Sequence, residues 1–268
     1  MRVRNPSLAI GVTTVAALVV AAILGPVLFR ADPLSIDLAD ALAGPGRGHP
    51  FGCDALGRDV LARVLYGARL SLSISTLVVA ISLVVGSLIG ATAALSGGRV
   101  DNLVMRGVDI VLAFPGILLA IALAAILGPG LVDLVIALSA MGWTGYARIV
   151  RGEVLSLRER DYVLAAESLG ASRLRLLTRH LIPGVIGPLA VQATFGIGGI
   201  IGAEAALSFL GLGAIPPTPS WGNMLDAGRA FLLVAPHLTT APGLAIGLSI
   251  LSFNLLGDGI AQAAGSRT

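Results

Sequence analysis

Six apolar runs, at residues 8–29, 70–95, 110–128, 131–149, 185–207 and 238–257, alternate along the chain with arginine-bearing segments; only Asp133, Arg148 and Glu204 interrupt them with charge. Each is near the ~20 residues a helix needs to cross a bilayer. In hydrocarbon a helix also satisfies its own backbone hydrogen bonds, which an open strand does not. The pattern therefore predicts an all-α membrane protein with six transmembrane helices. Within the second run Gly86 and Gly90 form a small-xxx-small pair suited to close helix contact. Pro115 falls early in the third run and predicts a kink, and Gly128-Pro129-Gly130 predicts a tight turn after it. The fifth run has glycines at 187, 196, 198, 199 and 202, which predicts close approach to a neighbouring helix.

Three polar segments are long enough to have structure of their own. In 30–69, Gly44-Pro45-Gly46 marks irregular chain, while Val60, Leu61, Val64 and Leu65 recur at helical spacing and predict a helix lying flat at the outer interface. In 208–237, Pro216, Pro217 and Pro219 stiffen a loop, and Trp221 suits the headgroup layer. In 150–183, residues 161–168 read as a short helix with an apolar face of Tyr162, Ala165, Ala166 and Leu169. Gly170 breaks that helix; a second short pattern through Leu174, Leu177 and Leu181 ends at Pro183. Two short helices meeting at a glycine make a rigid knob that another protein can grip. The layout is thus 1–29 (tail and first span), 30–69 (outer loop with its interfacial helix) and 70–268 (a core of five spans with the knob and the second outer loop).

Composition narrows the function. With 56% hydrophobic and 12% charged residues and a mean hydropathy of +0.92, a soluble globular fold is excluded. The chain has no lysine, so it has no Gly-Lys-Ser/Thr phosphate loop, and any ATPase that drives it is another polypeptide. Its pI of about 9.7 does not point to nucleic acid, because the arginines flank the spans. Twelve arginines fall in segments that place both termini inside, against six outside. The run at 8–29 is read as a retained span, since Gly25-Pro26-Val27 is a poor cleavage site for a signal peptide.

Within the spans no Ser/His/Asp, Cys/His or paired-carboxylate set appears, so an intramembrane protease or other membrane enzyme is not expected. Glu204 is the one carboxylate in the fifth run; a gating role and a helix-end group reaching headgroup water both remain open. Gln192 and Asn254 line a pathway or bond between helices. His49 and Cys53 stand four apart with no third ligand, so no metal site is read there. His180 is read as structural and His237 as a cap on the sixth span. A stand-alone secondary carrier would need its own buried acids or broken helices, and little here supplies them.

Several motifs carry a family resemblance. Leu164-Ala165-Ala166, Gly170 and His180-Leu181-Ile182-Pro183 resemble the Glu-Ala-Ala, three residues, Gly, nine residues, Ile-x-Leu-Pro signature of ATP-binding-cassette importer permeases. Leu164, His180 and Ile182 depart from it, and Glu167 stands where it can partly replace the missing glutamate. His49, Pro50, Gly52, Asp54, Gly57, Arg58 and Asp59 resemble the C-type permease of dipeptide, oligopeptide and nickel importers, with Cys53 for the usual threonine. The Trp221 loop and the run closing at Gly259 resemble the same family. The resemblance implies a type I importer permease fold in the cell membrane, with Ala165, Ala166, Glu167, Gly170, Ala171, His180 and Pro183 coupling to an ATPase. It implies that His49, Gly52, Asp54, Gly57, Arg58, Asp59, Pro217 and Trp221 face an extracytoplasmic solute-binding protein. The implied partners are a second (B-type) permease and one or two cytoplasmic ATP-binding subunits, which hold ATP and Mg; this chain itself binds no cofactor. The implied cargo is dipeptides or short oligopeptides, with nickel or another small solute as the alternative.

Overall fold

A computed structural model describes residues 5–29 and 31–265; Arg2, Arg4, Arg30 and Arg267, which enter the orientation count, lie outside the described residues. Ten α-helices are formed among them. They are α1 (Pro6–Phe29), α2 (Val60–Ser96), α3 (Gly98–Leu112), α4 (Gly116–Leu127), α5 (Leu131–Arg158), α6 (Asp161–Ser168), α7 (Arg173–Leu176), α8 (Ile182–Phe209), α9 (Trp221–Arg229) and α10 (His237–Gly265). Four helices are long and apolar enough to cross a membrane, or five if the α3–α4 pair is one span. The fourth expected run lies in α5, which is long enough at 28 residues but includes Asp133, Arg148, Arg151, Glu153 and Arg158. The six-span expectation is therefore met in full only if α5 is counted despite its polarity.

Several expected elements are corrected. The flat interfacial helix before the second span does not exist as a separate element, because residues 60–69 are the first turns of α2. At 37 residues α2 is about 55 Å long, well beyond the ~30 Å of hydrocarbon. Asp59 caps its start through a hydrogen bond from the Ala62 N–H at 2.8 Å, and nothing between residues 60 and 96 breaks it. The third run does not kink but breaks: α3 and α4 meet at 83°, with Pro115 as the cap of α4. A proline lacks the N–H to continue the ladder and pushes its predecessor out of helical geometry. Pro183 does not end the second knob helix either. Leu177–Leu181 form a π-helical turn that leads straight into α8, where Pro183 sits in the first turn and its missing N–H costs little.

Helix α2 is the spine. Its middle lies against α5, where a Cβ on Gly86 would stand 2.3 Å from the Trp143 carbonyl oxygen and one on Gly90 2.2 Å from that of Ala147. Close backbone packing of this kind replaces the hydrophobic driving force that lipid does not supply. Helix α8 packs on α2, α5 and α10, and α1 is applied outside against α10 and α2. Three buried clusters fill the joints. One lies beneath α9 around Trp221, Val64, Leu72 and Phe253. A second joins α2, α4, α5 and α8 around Val78, Leu134 and Leu207. The third unites Ala94, Val150, Val154, Val163, Leu176, Leu181 and Val185 at the knob.

Gly86→Val is expected to cost about 2–3 kcal/mol by overpacking the α2–α5 joint. Thermal melting of the purified chain should show a drop of at least about 5 °C. Gly152→Ala, on an exposed stretch of α5 with nothing within 4 Å of the added methyl, should leave it unchanged or higher.

Candidate functional site

At the end of the bundle where the chain passes from α5 to α8, α6 spans Asp161–Ser168 as its spacing predicts and closes in a Schellman turn. The Ala171 N–H bonds the Ala166 carbonyl at 3.1 Å, the Gly170 N–H bonds that of Glu167 at 2.9 Å, and Gly170 takes φ +80°. The expected apolar face is corrected. Val163 is the buried residue and Ala166 is half-buried, whereas Tyr162, Ala165 and Leu169 point outward, Leu169 being 89% exposed. Leu164 and Glu167 are also exposed. The knob thus shows an apolar tip on a well-packed base. His180 is half-buried, stacks on Tyr162 with ring centroids 6.4 Å apart, and has an Nδ1 with no hydrogen-bond partner among the described residues.

The base is tied down by arginines of α5. Arg151 holds Asp101 of α3 through two hydrogen bonds of 2.6 Å, and Arg148 pairs with Asp109 on the same helix. Arg158 donates to the Ala94 carbonyl near the end of α2 at 2.9 Å. Bidentate guanidinium–carboxylate pairs fix orientation as well as distance. These contacts tie α5 to α2 and α3 beside the knob.

At the outer end, the motif from His49 to Asp59 folds back on itself. Asp54 accepts from the Leu56 and Arg58 N–H groups at 2.8 and 3.0 Å and from Arg58 Nε at 2.7 Å. Asp59 accepts at 2.8 Å from Ala62 N–H and lies 2.8 Å from His49 Nδ1, so one carboxylate both caps α2 and holds the loop. Gly52 has φ +76°, and a Cβ there would stand 2.5 Å from the Ala43 carbonyl oxygen. Trp221 is 1% exposed; its Nε1–H donates to the Val64 carbonyl at 3.0 Å and its ring covers Gly67. The partner-facing reading is corrected for Gly52, Gly57, Asp59 and Trp221, which are buried; Asp54 and Arg58 are half-buried. The side chains of Asp54, Arg58, Asp59 and Trp221 hold this layer together, and Trp221 is no headgroup anchor. Pro217 is exposed and His49 half-exposed, so these two lie at the protein surface. His237 opens α10 with its Nε2 3.3 Å from the Cys53 carbonyl oxygen.

At membrane depth, Glu204 is fully buried, and the hydroxyls of Ser71 on α2 and Ser208 on α8 each donate to it at 2.8 Å. It does not reach headgroup water; it joins two helices. Gln192 is half-buried on α8 with its Nε2 facing Gly145 of α5, and half-buried Asn254 faces Gly198 across the α8–α10 contact. Glu204, Gln192 and Asn254 thus sit in three separate helix joints and are not gathered into one polar site. The Glu204–Ser208 pair was readable as neighbours four apart on one helix; Ser71, distant in sequence, left no such signal.

Comparison with known proteins follows the same lines. Residues 82–268 match the family described as binding-protein-dependent transport system inner membrane component. The chain is 40% identical over 260 residues to the dipeptide transport system permease protein DppC of Alkalihalophilus pseudofirmus, covering 97% of this chain and 86% of that one. It is 46% identical over 220 residues to the glutathione transport system permease protein GsiD of Shigella dysenteriae serotype 1, covering 82% and 73%. Among solved structures it resembles the inward-facing MetNI methionine ABC transporter, with a TM-score of 0.61 and 17% identity over 75% of this chain and 95% of that one. At that identity the likeness speaks for the fold alone, and the fold is the importer-permease one expected.

Two measurements probe these sites. Glu204→Ala should cost about 2–4 kcal/mol, since it leaves a cavity and two buried hydroxyls without their acceptor; a lowered melting midpoint checks this. Burial, reinforced by the carboxylates of Asp59, Asp40, Asp54 and Asp37, pushes the Cys53 thiol from 9.0 up to about 11. Cys53 should resist maleimide up to pH 9 in the folded chain and react on unfolding. Because the folded state keeps a proton that the unfolded state releases, this group's contribution to stability is lost as pH rises from 9 to about 11.

Proposed function

Because this chain belongs to the family of binding-protein-dependent transport inner-membrane components, we propose that it forms, with a second permease, the pathway of an ATP-driven importer of dipeptides or short oligopeptides. The names of two relatives, a dipeptide and a glutathione permease, support peptides as the cargo. The observation that carries the coupling role is the knob: Tyr162, Leu164 and Leu169 exposed on α6, over a base of buried Val163, Leu176 and Leu181. An apolar tip held this rigidly by a Schellman turn fits a cleft on a cytoplasmic ATPase subunit. ATP and Mg are held by that partner, which performs the hydrolysis.

In this reading, ATP binding draws together the knobs of the two permeases. The knob has no slack with which to absorb the movement, since α5 enters it and α8 leaves it through the π-helical turn. The load passes along both helices into the α2–α5 and α2–α8 joints, and the pathway opens outward. A solute-binding protein delivers the peptide to the outer layer, on the face where Pro217 and His49 lie. Both termini and the knob are cytoplasmic.

Leu169→Asp in the assembled transporter should lower binding-protein-stimulated ATP hydrolysis and peptide uptake at least tenfold, with membrane insertion unchanged. Gly170→Arg should act likewise, by straining the left-handed position that closes α6. Unchanged uptake in both variants, or solute movement by this chain alone down an ion gradient, would overturn the reading.

A further inference from the structure

The 83° break between α3 and α4 leaves main-chain groups open. Among the described residues, the carbonyl oxygens of Leu112, Ala113 and Phe114 accept no hydrogen bond, and the N–H groups of Gly116 and Ile117 donate none. All of residues 112–118 are exposed. The break is also deep. Helix α4 runs 12 residues, ~18 Å, from Gly116 to the turn that opens at Gly128. Pro129 in that turn shares a cleft with Ala214 and Asn223, in the layer beside α9. Hydrocarbon is ~30 Å thick, so an elbow ~18 Å from that layer lies within it.

Peptide groups without partners are costly in lipid, and irregular backbone at this depth persists only where protein or water meets it. A second observation selects water. About one helical turn before the elbow, Asp109 pairs with Arg148, and these side chains are 64% and 56% exposed. Arg148 stands ~26 Å along α5 from Leu131, still within the hydrocarbon thickness. Charges at such depth turn toward a wet cavity and away from lipid. Asp109 and Ala113 are four apart along one helix, so the ion pair and the open carbonyls share a side. Resting on the importer reading above, we propose that the α3–α4 elbow lines the water-filled route of the cargo, with Phe114 and the free main-chain groups of residues 112–117 at its wall. Water and a peptide backbone can both meet such groups, whatever side chains the cargo carries.

The test uses the assembled transporter in inside-out membrane vesicles, with Phe114→Cys or Ile117→Cys placed in a Cys53→Ser chain. A membrane-impermeant maleimide should label both new cysteines in the nucleotide-free state. Trapping with ATP and vanadate should lower the labelling rate about tenfold, because the route then opens to the other side. Labelling by a lipid-soluble maleimide alone places the elbow in lipid, and no labelling by either reagent places it in a seam with the second permease. Equal labelling in both states places it in the headgroup layer. Each of these three outcomes overturns the proposal. Dipeptide uptake by the wild-type assembly is measured alongside. If uptake is present, such an outcome removes the elbow's role alone; if it is absent, the importer reading itself fails.

Discussion

The close contact of α2 with α5, glycine against carbonyl, is the constraint on which the rest of the molecule depends. In lipid, apolar side chains gain nothing by leaving solvent for one another, so helices stay together through shape and a few polar links. Gly86 and Gly90 allow two backbones to approach until their carbonyls touch what would be a Cβ. From that seam α2 extends both ways, far enough to meet every layer. Its first turns carry Gly67 beneath Trp221, its upper half offers Ser71 to Glu204, and its end presents Ala94 to the knob. One uninterrupted helix thus joins the layer around Trp221 to the knob.

The polar groups follow a division of labour along that spine. At the inner end, arginine–aspartate pairs and a carbonyl contact brace α5 against α2 and α3, where water competes for weak pairs and bidentate geometry matters most. In the apolar middle, a single carboxylate is retained because two hydroxyls satisfy it. At the outer end, Asp54 and Asp59 each serve several donors at once, and so fold an irregular loop that has almost no hydrophobic core of its own.

Much of this was legible in the chain. The apolar runs located the long helices, and Gly170 marked the end of α6. The outer motif was singled out, but Gly52, Gly57 and Asp59 in it are buried and not partner-facing. A motif of Asp, Gly and Arg reads as surface chemistry, whereas here it is the loop's internal scaffold. Position in the sequence does not tell the two apart; only the partners of Asp54, Asp59 and Trp221 do.

By itself, the sequence determined that this is a multi-pass helical membrane protein, where its helices lie, and that it ends one short helix at a glycine before the penultimate long one. These follow from hydropathy and backbone preference, which are local. The tertiary structure decided which face of each helix meets protein, that the chain bends by 83° before Pro115, that Val163 and not Leu169 is buried, and that Glu204 bridges α2 and α8. The reason is physical. A soluble helix reveals its buried side by its polar one, but a helix in lipid is apolar all round, so the contrast that would identify the packed face is absent from the sequence.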